Sequence, residues 1–150
     1  MTLDRRHFLL AGTAMIAVAG TARADEASTM MVYKSPSCGC CGAWIEHVRE
    51  AGMRVAVQNM DDVTTAKTRL GVPQELWSCH TALIGDYVIE GHVPVSDIQR
   101  LLAERPDMRG IAVPGMPAGS PGMEVPGYSE AYEVYAFTET GHEVFARHGG

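Results

Sequence analysis

The sequence predicts an α/β protein with a central mixed β-sheet flanked by helices. Residues 30–57 contain an apolar run, a helical pattern and a second apolar run, in that order. Residues 81–104 contain two further apolar runs followed by another helical pattern. Short apolar runs favour strands, whereas apolar residues that recur every three or four positions favour amphipathic helices. The chain therefore combines a β-α-β unit with a β-β-α unit.

The β-α-β unit begins with a predicted strand at residues 30–34. A helical pattern starts near Ala43, and Gly52 is a natural end for it because glycine readily closes a helix C-terminus. A second strand is predicted at residues 53–57. The apolar positions of the helix are Trp44, Ile45, Val48 and Ala51. Two strands joined through a helix are expected to be parallel, with a right-handed crossover.

The second unit follows a short connecting helix. Residues 61–71 predict this helix, since it begins at aspartates that can cap it and ends at a glycine. Residues 81–89 predict two strands joined by a tight Gly85-Asp86 turn. Residues 94–104 predict a third helix with its apolar positions turned inward. This order of elements is that of a thioredoxin-like domain.

The remaining chain predicts a long loop and a C-terminal hairpin. Residues 106–127 alternate five prolines with five glycines, and a loop of this length is usually functional or disordered. Its methionines are Met108, Met116 and Met123. Residues 132–138 and 142–147 predict the two strands of the hairpin.

The N-terminus has the features of an export signal. Arg5-Arg6 precedes an apolar run, and Ala22-Arg23-Ala24 is an A-x-A cleavage site. The arginine pair before Phe8-Leu9 is typical of a twin-arginine signal, and an ordinary secretory signal is the alternative. We expect residues 1–24 to be a signal peptide and residues 25–150 to form a single thioredoxin-like metal-binding domain in the periplasm.

Composition narrows the class of partner. Without residues 1–24 the chain keeps 9 lysines and arginines against 17 aspartates and glutamates, a formal charge of −8. Phosphate binding needs clustered basic residues, and none are present, so nucleic acid is not an expected partner. The mature chain also lacks an apolar stretch long enough to span a membrane.

Three cysteines crowd the start of the first predicted helix: Cys38, Cys40 and Cys41. The positive end of a helix dipole favours thiolate over thiol there. Cys38 and Cys41 can face one side of the helix, while Cys40 projects about 100° away from Cys41. Several metals bridged by shared thiolates suit this clump better than one metal. A thioredoxin-type Cys38/Cys41 redox pair and a structural disulfide are the alternatives.

The fourth cysteine, Cys79, is followed by His80 immediately before the third strand. In a thioredoxin-like fold this position contacts the cysteine turn, and thioredoxins usually place a cis-proline there. A sulfur at this position favours a ligand, although a buried cysteine can also serve as a small apolar side chain. His80 is either a ligand or a core-facing hydrogen-bonding residue.

Methionines and further histidines complete the candidate donors. Met116 and Met123 lie in a rigid loop poor in other side chains, which favours thioether ligands, and filling the edge of the core is the alternative. His47 and His148 are predicted to be exposed, although His47 lies close enough to the cysteine turn that a ligand role is the alternative; His92 and His142 have no predicted role. Thiolate, thioether and imidazole donors select Cu(I), whereas structural zinc sites usually use two regularly spaced pairs of ligands.

Four ordered motifs resemble the CopG-type periplasmic copper-resistance family, long described only as a domain of unknown function. They are Cys38-Gly39-Cys40-Cys41, Cys79-His80-Thr81-Ala82, Gly91-His92-Val93-Pro94 and the Gly/Pro/Met run at residues 110–123. The resemblance implies a thioredoxin-like fold with a cysteine-bridged cluster of several copper ions. It also implies a role in copper tolerance, with copper cycling between its two oxidation states. The ligand role would fall on Cys38, Cys40, Cys41, Cys79, Met116, Met123 and His80.

The sequence thus predicts an exported copper-binding protein that works with copper ions and other copper-handling proteins of the envelope. The enzyme alternative is a thiol–disulfide oxidoreductase in which Cys38 is the attacking thiolate and Cys41 its partner. A third alternative is a disulfide-stapled interaction domain without metal.

Overall fold

The computed structural model of the protein describes residues 29–149, and the predicted signal peptide at residues 1–24 lies outside this range. The described range contains seven strands, three α-helices and one short 3-10 helix. In chain order they are β1 (Thr29–Lys34), α1 (Gly39–Glu50), β2 (Arg54–Asn59), α2 (Thr64–Arg69), the 3-10 helix (Gln74–Leu76), β3 (His80–Ile84), β4 (Tyr87–Glu90), α3 (Val95–Glu104), β5 (Gly110–Ala112), β6 (Tyr132–Phe137) and β7 (His142–His148). No helix in the described part of the chain is long and apolar enough to cross a membrane.

All seven strands join one mixed sheet in the order β2-β1-β3-β4-β5-β6-β7. β1 is parallel to β2, and β4 is parallel to β5, whereas the other neighbouring pairs are antiparallel. The predicted α/β class with a central mixed sheet flanked by helices is confirmed. The β-α-β and β-β-α order on which the thioredoxin-like prediction depends is present.

Two apolar clusters cover the two faces of the sheet. One contains Trp44 and Val48 of α1 together with Ile98 and Leu101 of α3. The other contains residues of α2 and the 3-10 helix, including Leu76. Because successive side chains of a strand point to opposite faces, neighbouring strand residues divide between the two clusters. The sheet is therefore buried between helices, and its loops remain available for a site.

α1 begins four residues earlier than the apolar pattern predicted, at Gly39 rather than near Ala43. Its N-terminal flanking residue is Cys38, whose backbone is extended, and the carbonyl of Cys38 accepts a bond from the amide of Gly42. The residues of the first turn carry no apolar spacing, so periodicity could not reveal them. Cys40 and Cys41 therefore belong to the helix itself rather than to a preceding turn.

The predicted loop at residues 106–127 contains a strand that the sequence analysis missed. β5 has three residues, all buried, and it pairs with both β4 and β6. Gly110 makes the close approach to β4 feasible, because a Cβ at this position would overlap the carbonyl oxygen of Val88. Through β5 the predicted C-terminal hairpin, which is confirmed, continues the central sheet instead of packing separately.

Candidate metal centre

Two separate segments bring the four cysteines together. Cys38, Cys40 and Cys41 lie at the start of α1, and Cys79 immediately precedes β3. β1, which leads into the cysteine turn, is antiparallel to β3 with Lys34 opposite His80. This register places the end of one strand beside the start of the other. All four sulfur atoms consequently lie within 4.8 Å of one another.

Cys38 and Cys41 form a disulfide, while Cys40 and Cys79 are free thiols. The sulfur of Cys40 lies 3.5 Å from that of Cys38. Cys41 is fully buried, whereas Cys38 is partly exposed. The pair thus has one accessible and one protected sulfur, an arrangement in which an external thiol can reach only Cys38. This disulfide is compatible with both alternatives that the sequence left open for the pair, a redox pair and a structural disulfide.

The thiol of Cys79 is partly buried. Burial raises the pKa of this thiol to about 12, and the neighbouring Cys40 adds to the rise. The sulfur lies 3.0 Å from Nε2 of His92 and 3.4 Å from Nδ1 of His80. Cys79, His80 and His92 therefore form a second group of potential ligands that shares Cys79 with the first.

His80 has an unpartnered nitrogen in the protein interior. Its side chain is fully buried, and its Nε2 atom has no hydrogen-bond partner among the described residues. Burial holds the pKa of His80 well below its usual value, and the nearby basic side chains, His92 first and then Lys67, lower it further. A buried nitrogen without a partner is unfavourable by about 1–3 kcal/mol, so such atoms call for an explanation. A neutral imidazole with a free lone pair is suited to bind a metal ion.

His92 is a potential ligand to which the sequence analysis gave no role. Its Nδ1 lies 2.8 Å from the carbonyl oxygen of Pro121, which can only accept a hydrogen bond. Nδ1 therefore carries the proton, and Nε2, which faces Cys79, has the lone pair. Burial lowers the pKa of His92, which keeps the ring neutral.

The signal for His92 was present in the predicted hairpin. Counting outward from the Gly85-Asp86 turn pairs Ile84 with Tyr87 and, in the same register, Thr81 with Glu90. Two further steps place Cys79 opposite His92. The two strands predicted from apolar residues end at Thr81 and Ile89, short of both Cys79 and His92.

The rings of Trp44, His80 and His92 pack against one another between the cysteines and the hydrophobic core. The indole N–H of Trp44 donates to the carbonyl of Val93 at 2.9 Å, which fixes the ring on α1 against the segment that follows β4. The ring centroid of Trp44 lies 4.4 Å from that of His80, and His80 lies edge-on to His92 at 5.1 Å. These contacts hold both imidazoles in fixed orientations and exclude water from one side of the site.

The loop between β5 and β6 packs on the first turn of α1. A Cβ on Gly122 would lie 2.7 Å from the amide nitrogen of Trp44 and 2.8 Å from the carbonyl oxygen of Cys40. One residue earlier, Pro121 binds His92, and two residues later Glu124 pairs with His47 at 2.7 Å. The loop therefore closes over the cysteine turn through three contacts within four residues, at Pro121, Gly122 and Glu124.

This packing places the two candidate methionines differently. Met123 lies between Gly122 and Glu124 and is half-buried, so its backbone is held at the cysteine turn. Met116 is 52 % exposed, although the neighbouring Gly115 accepts a hydrogen bond from the hydroxyl of Ser78. The ligand role of both methionines stays a prediction.

Two histidines that were predicted to be solvated have partners. His47 is bound to Glu124 of the loop, as described above. His148 lies 2.6 Å from the carboxylate of Asp97 on α3 and stacks on Tyr132. The side chain of His47 is still 41% exposed, as predicted, whereas that of His148 is 29% exposed because Asp97 and Tyr132 cover part of its ring. His142, which had no predicted role, lies 3.7 Å from Glu75.

The donors that converge are sulfur and imidazole nitrogen. Neither group of candidate ligands in the described residues contains a carboxylate. Soft sulfur ligands select soft cations such as Cu(I), whereas hard cations require oxygen. The fold and site define a mixed α/β protein with a thiol-rich centre able to hold a soft metal.

Comparison with known proteins agrees with this class and makes it specific. A family model described as "Protein of unknown function, DUF411" matches residues 76–123. Two solved structures named "Copper resistance protein copG", Form 1 and Form 2, are 44% and 43% identical in sequence to this chain. Each covers 83% of this chain and is itself covered completely, with a TM-score of 0.78. No match was found among the curated proteins.

The chain belongs to the CopG family of copper-resistance proteins. The family predicted from the sequence motifs is thereby confirmed. The DUF411 match spans Cys79, His80, His92 and both loop methionines, while the cysteine turn lies before it.

Proposed function

We propose that this protein is an exported copper-binding protein that holds Cu(I) as a thiolate-bridged cluster of several ions. Its role is copper tolerance, through sequestration of copper or cycling of copper between its two oxidation states. Cys38, Cys40, Cys41 and Cys79 supply the thiolates, and His80 supplies an imidazole. Met116 and Met123 supply thioethers from the loop.

The convergence of four sulfur atoms from two distant segments is the observation that carries this proposal. The sulfurs lie within 4.8 Å of one another, so an ion placed among them reaches several at once. A structural disulfide framework would need only pairs. The Nδ1 atom of His80, which lies 3.4 Å from the sulfur of Cys79, is further support, because an ion bound by that sulfur could also bind this nitrogen.

Charge balance favours several monovalent ions over one divalent ion. Four thiolates around a single zinc ion leave an uncompensated charge of about −2, and burial makes such a charge unfavourable. Several Cu(I) ions bridged by the same sulfurs neutralise it. Each thiol releases its proton on binding, so the raised pKa of Cys79 makes copper uptake favour higher pH.

The disulfide sets the redox state in which the full ligand set is available. Reduction of the Cys38–Cys41 disulfide takes two electrons and two protons and yields two thiols. In vitro, a dithiol such as dithiothreitol supplies these electrons and protons and is itself oxidised to a disulfide. With the disulfide formed, two of the four sulfurs lose their thiolate character. The cluster therefore forms in the reduced protein.

The loop between β5 and β6 acts as a cover over the cluster. Its contacts through Pro121, Gly122 and Glu124 fix it on the cysteine turn, and it carries the two methionines. Cu(I) in a sulfur pocket closed to water is hindered from generating oxygen radicals, which is the physical basis of tolerance. The relatives named as copper-resistance proteins support this role.

Export follows from residues 1–24, whose arginine pair and cleavage site are typical of a twin-arginine or secretory signal. The protein is then periplasmic, where other copper-handling proteins of the envelope are its partners. Detection of the processed chain beginning at Asp25 in the periplasmic fraction tests this, and retention of the unprocessed chain in the cytoplasm contradicts it.

Copper loading and absorption spectroscopy test the metal site. Reduced protein reconstituted with Cu(I) without oxygen should bind more than one copper per chain, and the copper-edge spectrum should show sulfur ligands and copper–copper scattering. Cys79→Ala should lower the stoichiometry, while His142→Gln, an exposed histidine on β7, serves as the control. Less than one copper per chain, or copper bound only by nitrogen and oxygen, overturns the proposal.

The Cys38–Cys41 disulfide favours a second candidate, a thiol–disulfide oxidoreductase. Its accessible sulfur, Cys38, and its buried partner, Cys41, suit attack by an external thiol. Reduction of insulin separates the candidates. Cys79→Ala that loses copper but leaves thiol exchange unchanged supports the copper function. If Cys79→Ala instead still binds copper but no longer reduces insulin, the oxidoreductase function is supported.

A further inference from the structure

A buried ion pair lies beside the metal centre without being one of its ligands. Lys67 of α2 and Glu90 at the end of β4 are 3% and 0% exposed. The ammonium nitrogen lies 2.6 Å from the Glu90 carboxylate and 3.0 Å from the hydroxyl of Thr81. Burying two charges is unfavourable unless their geometry and further hydrogen bonds compensate, so a buried pair is weak evidence for a contribution to stability alone.

The remaining hydrogen bonds of Glu90 lead toward the site. One carboxylate oxygen accepts from the backbone amide of Ser78 at 2.6 Å, and the other accepts from the hydroxyl of Thr81 at 2.6 Å. Thr81 lies directly opposite Glu90 in the β3–β4 pair, so that contact follows from the sheet register. The contact with Ser78 does not, because Ser78 lies in the loop before β3.

Ser78 connects this carboxylate to both halves of the site. The next residue along the chain is Cys79, and the hydroxyl of Ser78 donates to the carbonyl of Gly115, which precedes Met116. The Ser78 side chain also occupies the space that a Cβ on Gly91 would require. Ser78 is thus held from three sides, and its amide is the point at which Glu90 acts.

We propose that Glu90, held in place by Lys67, is the positioning residue that fixes Cys79 toward the cysteine turn by binding the amide of Ser78. This inference rests on the proposed copper function. Without that bond the loop before β3 gains freedom, and Cys79 leaves the position in which its sulfur meets those of Cys38, Cys40 and Cys41. Neither Lys67 nor Glu90 touches the metal in this arrangement.

A pair of double variants tests the acceptor that Glu90 offers to the Ser78 amide and to the Thr81 hydroxyl. Lys67→Met/Glu90→Gln removes both charges but keeps a carbonyl oxygen that can accept from the Ser78 amide. Lys67→Met/Glu90→Leu also removes both charges but leaves no acceptor. Replacing a buried ion pair with apolar side chains is often neutral for stability, so both variants should remain folded. The two differ mainly in the acceptor.

The first readout uses the reduced, metal-free protein. Alkylation of Cys79, followed by mass spectrometry of its peptide, should be roughly tenfold faster in Lys67→Met/Glu90→Leu than in Lys67→Met/Glu90→Gln, because the loop opens more often. Copper-loaded samples should show fewer sulfur ligands per copper in the leucine variant only. Equal alkylation rates and equal sulfur coordination in the two variants overturn the inference.

A second comparison covers the case in which the leucine variant does not fold. Ser78→Ala removes the hydroxyl alone, whereas Ser78→Pro also replaces the amide hydrogen with a ring carbon, so that Glu90 can no longer bind there although Lys67 and Glu90 are both retained. Trp77 has an extended backbone, which a following proline tolerates. Faster Cys79 alkylation in Ser78→Pro than in Ser78→Ala supports the inference, and equal rates contradict it.

Failure of this inference is distinguishable from failure of the proposed function. If the unaltered protein binds no copper, the copper function fails, while the alkylation of metal-free protein still tests the positioning of Cys79. If the unaltered protein binds copper through sulfur and the two variants behave alike, only the positioning role of Glu90 fails.

Discussion

The contact between Gly122 and α1 makes a sharp prediction for the variant Gly122→Ala. A Cβ at this position would lie 2.7 Å from the amide nitrogen of Trp44 and 2.8 Å from the carbonyl of Cys40. Both neighbours are backbone atoms of a helix, so they cannot move aside as a flexible side chain would. The loop must lift away from the cysteine turn to accommodate the methyl group.

The magnitude follows from two contributions. Gly122 has φ +84, and an alanine in this left-handed region is unfavourable by about 1–2 kcal/mol. Lifting the loop also weakens the hydrogen bond between His92 and the carbonyl of Pro121, which contributes about 1 kcal/mol, and the surface pair of His47 with Glu124, which contributes about 0–1 kcal/mol. The second contribution, about 1–2 kcal/mol, belongs to closure of the loop over the site.

Gly127→Ala is the matched control. Gly127 lies in the same loop and has φ +74, but no atom lies within 4 Å of its added Cβ. Gly127→Ala therefore has the unfavourable left-handed backbone conformation without any overlap between its Cβ and neighbouring atoms. The difference between the two variants isolates the contact with α1.

Transfer of Cu(I) from the loaded protein to a chelator is the assay. We expect transfer from Gly122→Ala to be roughly tenfold faster than from Gly127→Ala, because about 1.4 kcal/mol of lost closure corresponds to a factor of ten. Stability to denaturant should fall in both variants, and further in Gly122→Ala. Equal transfer rates in the two variants would refute the view that the loop covers the metal.

Three further predictions concern the site. The free energy of unfolding of the metal-free protein should fall as the pH drops below about 6.5, because the pKa of His80 is lower in the folded than in the unfolded state. One such histidine accounts for up to about 1.4 kcal/mol per pH unit. Denaturant titrations at several pH values measure this slope, and the same slope in His80→Gln would argue against His80 as its source. Met123→Leu should speed copper transfer more than Met116→Leu, since only Met123 is held beside the cysteine turn and leucine conserves volume; the reverse order would contradict this. Protein with the Cys38–Cys41 disulfide intact should bind less Cu(I) than reduced protein, as measured by metal analysis after gel filtration, and equal stoichiometry would exclude the disulfide as a constraint.

The sequence predicted those parts of the fold that depend on local periodicity and turn residues. The Gly85-Asp86 turn defined a hairpin whose register the structure confirms, and Gly52 ends α1 with the positive φ expected of a glycine at that position. β5 was missed because three residues are too few to show alternation, and because its glycine serves a contact with Val88 that only the folded chain displays.

The sequence allowed us to predict the cysteines of the candidate site but not the buried charged residues that support it. The clumping of Cys38, Cys40 and Cys41 is visible in the sequence, and the structure brings Cys79 to them. Lys67 and Glu90 look like ordinary surface charges in the sequence, since charged residues are rarely buried without a partner. Their pairing depends on α2 lying against the β3–β4 hairpin, which no local pattern encodes.

The hairpin between Cys79 and His92 also constrains how many residues can separate these two side chains in related sequences. These two residues flank the open end of β3 and β4, and the turn that sets their register lies about 16 Å away at the other end of five-residue strand β3. Inserting one residue in that turn would shift the pairing and turn one of the two side chains to the opposite face. Homologues that keep the chemistry should therefore preserve the spacing between this cysteine and this histidine, even where the turn residues themselves diverge.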